Sequence, residues 1–268
     1  MAMRERNDTM TLVFLHLPKT AGSTIRDVLT RNYRADKLFR VKVRNREFYL
    51  ARLSIETRLR DFDCVFGHFG YGIHRYIHND CQYFTMLRDP IQRVISLYFF
   101  ALHKKDHPLH KAVALNRMSL EDFADSGIGP GINNHQTRLL AAVDGRYKRV
   151  FDPAEIGEDQ FSMARKNLEG MAAVGLTEMF DESLLLFANK FGWRDIRYTR
   201  LNVSARQKGE VTPYAIERIM ANNEYDLRLY DYAKYLVKKQ IEDYNGNLEE
   251  DLREFRKYNV SSPVLQKT

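Results

Sequence analysis

The chain has 268 residues, 44% of them apolar and 29% charged, with a formal net charge of +7 and a pI near 9.3. That length and balance fit a single domain, 1–268, with a full core and with peripheral tails at 1–10 and about 245–268. The positive charge favours acidic partners, but no basic run of the nucleic-acid-binding type occurs, so no nucleic-acid partner is expected. The longest apolar run, Val94 to Leu102, is interrupted by Ser96 and is too short to span a bilayer. Only two cysteines, Cys64 and Cys81, occur, and the start MAMRERNDTM is charged and polar. Both features read as a reduced, cytoplasmic enzyme.

In chain order, Leu12 to Leu17 reads as a buried parallel strand stopped by Pro18, and Gly22 to Arg31 as the first helix. Phe39 to Val43 and Cys64 to Phe66 read as short strands, with a helix over Phe48 to Arg60 between them. A helical turn is expected over Tyr71 to His78, and a strong strand over Gln82 to Leu87. Asp89, Pro90 and Gln92 then mark a helix start of capping-box type. Ser119 to Ala124 and Asn134 to Ala142 predict further helices, and Asp144 to Gly157 a surface loop. Gln160 to Leu168 and Asp181 to Phe191 predict helices flanking a strand over Ala172 to Leu176, with a last strand over Ile196 to Leu201. Thr212-Pro213 opens a helix, Asn223 to Tyr244 forms a long one, and the charged tail from Asn245 frays. This alternation implies an α/β fold with a central parallel sheet flanked by helices, and ligands at the carboxyl ends of its strands.

Three of those strand ends carry chemistry. Strand, short loop and helix over TLVFLHLPKTAGST form an anion cradle: helix N–H groups and dipole favour a phosphate. Lys19, Thr20, Ala21, Gly22, Ser23 and Thr24 make up its loop and first turn. The loop lacks the spacing of a nucleotide triphosphatase P-loop, because lysine precedes the glycine. Arg88 at a strand end and Ser96 two turns into the next helix form a second anion grip, although Arg88 also suits an ion pair with a neighbouring carboxylate. His68, within Gly67-His68-Phe69-Gly70, is the third, a side chain able to accept a proton near neutral pH. The pairs His74/His78 and His103/His107 lack an accompanying metal signature and read as solvated faces. A metal-dependent nucleotide kinase and a non-catalytic anion-binding module are the alternatives that the residues leave open.

LPKTAGST, GHFG and LRDPIQRVISLY, in this order, resemble the sulfotransferase superfamily, closest to its heparan sulfate 2-O-sulfotransferase-like carbohydrate branch. The resemblance implies a P-loop-like sulfotransferase fold and 3′-phosphoadenosine-5′-phosphosulfate (PAPS) as co-substrate, with 3′,5′-adenosine bisphosphate as product and no metal. It implies that Lys19 to Thr24 bind the 5′-phosphosulfate, Arg88 and Ser96 the 3′-phosphate, and that His68 is the base with Lys19 also catalytic. NHQTRLL (Asn134 to Leu140) resembles an acceptor-side segment, and Val174 to Phe187 a structural strand and helix. LNVSARQKG (Leu201 to Gly209) resembles a nucleotide-closing loop, which makes Arg206 and Lys208 candidate contacts. A soluble bacterial-type member is expected, acting on a hydroxyl of a glycan, a lipid, a carrier-bound acyl chain or a small natural product.

Overall fold

A computed structural model describes residues 10–41, 52–57, 61–142, 156–198 and 211–260. Its centre is a parallel five-stranded sheet: β1 (Thr11–Leu15), β2 (Leu38–Val41), β3 (Cys64–Gly67), β4 (Cys81–Leu87) and β5 (Ala173–Leu176), in the order β2-β3-β1-β4-β5. The register pairs Leu15 with both Gly67 and Thr85, so the ends of β1 and β3 are level and β4 runs two residues further.

Successive residues of a strand point to opposite faces, and both faces here are apolar. Val13, Leu15 and Val65 face one core with Leu139, Leu168 and Leu229. Leu12, Phe14, Phe66 and Phe84 face the other with Ile25, Leu29, Phe187 and Trp193. The helices of the first layer are α5 (His135–Leu140), α6 (Glu158–Glu169) and α9 (Glu224–Glu242). Those of the second are α1 (Gly22–Asn32), α7 (Phe180–Phe191) and α10 (Leu248–Val260). A third cluster joins α3 (Pro90–His103), α4 (Leu120–Asp125) and α8 (Pro213–Ala221) through Val94, Ala101, Phe123 and Ile219. Residues 52–57 form a short α2 whose Leu53 is buried.

Local signals account for several of these elements. Asp89 Oδ1 accepts the Gln92 N–H at 2.8 Å with Pro90 at the first helical position of α3. Only the aspartate half of the expected capping box is present there, whereas Ser119 and Asp122 complete one at α4. Thr212 caps α8 by accepting the Ala215 N–H at 3.2 Å.

Two expectations need correction. Of the strand expected over Ile196 to Leu201, residues 196–198 are irregular and 199–201 lie outside the described residues; Tyr198 is tied by its N–H to Asn259 and by its hydroxyl to Asp181. The charged stretch after Asn245 does not fray as a whole: α10 buries Phe255, and Arg256 pairs with Asp181 and Glu182 at 2.9 and 2.8 Å. Its charged face hides an apolar contact that the charge run masks in sequence. Among the described residues no helix is long and apolar enough to cross a membrane.

Candidate active site

From β1 the chain crosses to β2 and β3 on one side, and from β4 it continues to β5 on the other. The sheet therefore reverses its winding between β1 and β4, where a crevice forms at the strand ends. The Lys19 loop leaves β1 at this point, Arg88 leaves β4, and His68 leaves β3 on the far flank of β1.

The β1–α1 loop is held in an unusual backbone. Lys19 (φ 70°) and Ala21 (φ 61°) are both left-handed, at a cost on the order of 1–3 kcal/mol each. Two hydrogen bonds brace it: Thr20 Oγ1 donates to the Leu17 carbonyl at 2.8 Å, and Arg88 Nη1 donates to the Lys19 carbonyl at 3.1 Å. Thr20 is fully buried, so its hydroxyl holds the loop together rather than facing the crevice. No side chain caps α1 and its first turn holds no acid, which leaves that helix start open to an anion. Ser23 is half-buried there, and Thr24 is buried.

Lys19 Nζ lies 3.8 Å from the centroid of the Phe100 ring, on α3. Burial, aided by the nearby Arg88 guanidinium, pushes its pKa down to about 8. Phe100 sits one turn beyond Ser96 on the same helix face. Ser96, half-buried, therefore lies on the stripe that meets the lysine.

Arg88 is fixed from the other side. Its N–H donates to Gln136 Oε1 at 3.0 Å, and Gln136 Nε2 donates to its carbonyl at 2.9 Å. Glu178 lies 3.9 Å from Arg88 Nε, beyond hydrogen-bond reach, and accepts the Asp89 N–H instead. Arg88 Nε is buried with no hydrogen-bond partner among the described residues, a donor left available for an anion. Burial nevertheless dominates and lowers the guanidinium's pKa. Asp226 on α9 anchors this corner by accepting the Gln136 and Thr137 N–H groups and the Thr137 hydroxyl at 2.7 to 3.1 Å. Arg93, fully buried, lies 4.0 Å from the same carboxylate.

At β3, Gly67 (φ 156°) allows close approach: a Cβ there would stand 2.5 Å from the Val41 carbonyl. His68 follows, half-buried. Its Nδ1 lies 2.8 Å from the His16 carbonyl. A carbonyl only accepts, so Nδ1 carries the proton and Nε2 keeps the lone pair. Burial lowers the pKa of His68, opposed by that hydrogen bond and reinforced by Arg40 and Arg26. Imidazole is thus neutral and basic at Nε2.

The structure brings Lys19, the loop, Arg88, Ser96 and His68 to one end of the sheet; Arg206 and Lys208 lie outside the described residues. His16 and Phe100 escape the sequence reading, and Gln136 and Glu178 enter it only inside the segments likened to an acceptor-side stretch and to a structural strand and helix. His16 leaves a trace of its own, as a polar residue inside the apolar run LVFLHL. His74 is engaged by Tyr83, whose hydroxyl lies 3.0 Å from both its N–H and its Nδ1. Both cysteines are free.

A parallel α/β sheet with an open helix start, a lysine and an arginine at its winding reversal presents a cationic crevice of the kind that suits phosphate groups. The profile of the sulfotransferase family matches residues 5–233. Human heparan-sulfate 6-O-sulfotransferase 1 is 28% identical over 284 aligned positions, covering 86% of this chain and 68% of that protein. The Gallus gallus heparan-sulfate 6-O-sulfotransferase 1 is 29% identical, covering 83% and 65%, and human heparan-sulfate 6-O-sulfotransferase 3 is 26% identical, covering 85% and 58%. The chain belongs to the sulfotransferase family and is a PAPS-dependent sulfotransferase. These relatives carry the 6-O designation, where the motifs drew the likeness to the 2-O branch.

Proposed function

We propose that this enzyme sulfates a hydroxyl of a heparan-type glycan, with His68 as the base. One observation carries the reading: the Lys19 loop, Arg88 and His68 stand at the ends of three adjacent strands and are joined by hydrogen bonds through Lys19 and His16. The names of the relatives support the glycan acceptor.

Bound PAPS supplies the activated sulfuryl group on its 5′-phosphate. Arg88 and Ser96 grip the 3′-phosphate, with Arg206 and Lys208 as further candidate contacts to the nucleotide. His68 Nε2 takes the acceptor's hydroxyl proton as the oxygen attacks sulfur in line and the bond to the 5′-phosphate breaks. Lys19, with the α1 N–H groups and Ser23, neutralises charge growing on the departing phosphate oxygen. In this scheme Lys19 and the α1 N–H groups meet that charge, and Arg88 that of the 3′-phosphate, without a metal.

The test is transfer of radiolabelled sulfate from PAPS to heparan sulfate chains by the wild type and His68→Ala. A general base contributes about 10²–10⁴-fold, so the variant should lose turnover by that factor while binding 3′,5′-adenosine bisphosphate normally. Wild-type turnover in His68→Ala removes the base; absence of transfer by the wild type to any heparan chain removes the acceptor.

A further inference from the structure

We infer that His16 is a positioning residue for His68: its ring is the flat floor on which the base is held with Nε2 towards the crevice. The inference rests on the reading of His68 as base and extends it to a residue outside the three motifs.

His16 follows β1 and meets His68 twice. Its backbone carbonyl takes the His68 Nδ1–H, and its ring lies under the His68 ring, with centroids 4.1 Å apart and planes tilted by 33°. On its other side the His16 ring stacks on Phe14, 5.3 Å away at 11°, which in turn stacks on Phe84 in the core. The column Phe14–His16–His68 thus runs from the core to the base. Gly22 admits it: a Cβ at that position would collide with the His16 ring. The glycine of PKTAGST therefore makes room for the floor of the base as well as opening the helix start.

A leucine would fill this volume within an apolar run, so the imidazole needs a reason. His16 is half-buried and its ring nitrogens have no hydrogen-bond partner among the described residues, so no hydrogen bond within the described protein accounts for an imidazole there. The charged or titratable groups facing it are Arg26 from α1, Arg40 from β2 and His68 itself. With burial they hold its pKa well below the usual histidine range. His16 therefore stays neutral while His68 takes up a proton. A neutral aromatic face beneath a new imidazolium stabilises it, and stacking fixes the ring against rotation away from the carbonyl.

The experiment compares His16→Leu and His16→Gln with the wild type, all bound to 3′,5′-adenosine bisphosphate. Imidazole ¹H–¹⁵N spectra report the His68 tautomer and titration, and kcat and KM are measured on heparan sulfate chains. In His16→Leu, which keeps volume but loses the flat face, His68 should leave its single Nδ1–H form for a mixture and titrate at lower pH. Its kcat should fall about 10²-fold, the scale for a misplacement of roughly 1 Å, with bisphosphate affinity unchanged. His16→Gln, whose planar amide restores a stacking surface, should recover most of the loss. If His16→Leu does not fold, His16→Val carries the same expectation for tautomer and kcat. An unchanged His68 tautomer and titration in the leucine or valine variant overturns the inference, whatever happens to kcat. Failure of the base reading shows separately, as normal turnover in His68→Ala, while the His68 spectra still report on His16.

Discussion

The two cationic corners of the crevice are built in opposite ways. The Lys19 corner is shaped mainly by its own five residues, through left-handed backbone at Lys19 and Ala21 and the bond from Thr20 to Leu17, with one brace from outside, Arg88 to the Lys19 carbonyl. The Arg88 corner is remote, since its backbone is held by Gln136, 48 positions away, and the adjoining Asp89 N–H by Glu178, 89 positions away. Gln136 in turn depends on Asp226 of α9. A local corner survives damage elsewhere, whereas a remote one inherits the stability of every element that reaches it. Asp226→Ala should break this symmetry most strongly. It removes the carboxylate 4.0 Å from the buried Arg93 and deprives three α5 donors of their acceptor, costing about 3–5 kcal/mol of stability, measurable by urea unfolding. In the folded fraction, affinity for the 3′-phosphate should fall while affinity for 5′-phosphate alone persists. Equal loss of both would mean that the corners are not independent.

Direct substitutions sharpen the same contrast. Lys19→Ala should lower turnover about 10²–10³-fold, as loss of one donor to developing charge does, with a smaller effect on nucleotide affinity. An unchanged kcat excludes Lys19 from the reaction. Arg88→Ala should instead weaken binding of 3′,5′-adenosine bisphosphate by about 1.5–3 kcal/mol, the worth of a charged hydrogen bond. Adenosine 5′-phosphate should be affected much less. Calorimetry giving equal losses for both nucleotides would contradict the assignment of Arg88 to the 3′-phosphate.

The same division governs what the sequence discloses. β1, β3, β4 and the starts of α1 and α3 are legible because apolar runs, Pro18, Asp89 and Pro90 act over a few residues. The convergence of Lys19, His68 and Arg88 needs one thing more, that β3, β1 and β4 are neighbours, which the strand order supplies. Gln136 is legible only as part of the acceptor-side likeness of NHQTRLL, and Asp226 not at all: both become structural only when α5 and α9 pack together. Tyr198 misleads for a related reason. The alternation of Ile196, Arg197 and Tyr198 reads as a strand, but the polar groups of Tyr198 are taken by Asn259 and Asp181. The fold's centre is thus written locally, and the fine placement of its arginine is written across the whole chain.

The smallest effect separates the corners by their protons. Lys19 titrates near 8 in the free protein, pushed down first by burial and then by Arg88, whereas a guanidinium stays charged across the accessible range. A phosphate beside Lys19 favours the ammonium form, so its pKa must rise on binding. Above pH 8, binding of 3′,5′-adenosine bisphosphate therefore takes up a proton at Lys19. Affinity should fall as pH rises through 8, by up to about tenfold per pH unit. Near pH 7 the lysine is already largely charged, and the uptake from it should shrink. Calorimetry in two buffers of different ionisation enthalpy counts that proton at pH 7 and 9, and Lys19→Met should abolish the difference. Arg88→Ala should keep the uptake but move it to higher pH, because the cation that helps depress Lys19 has gone. A proton count at pH 9 that is the same in the wild type and Lys19→Met would show that the nucleotide does not reach Lys19, and the local corner would lose its phosphate.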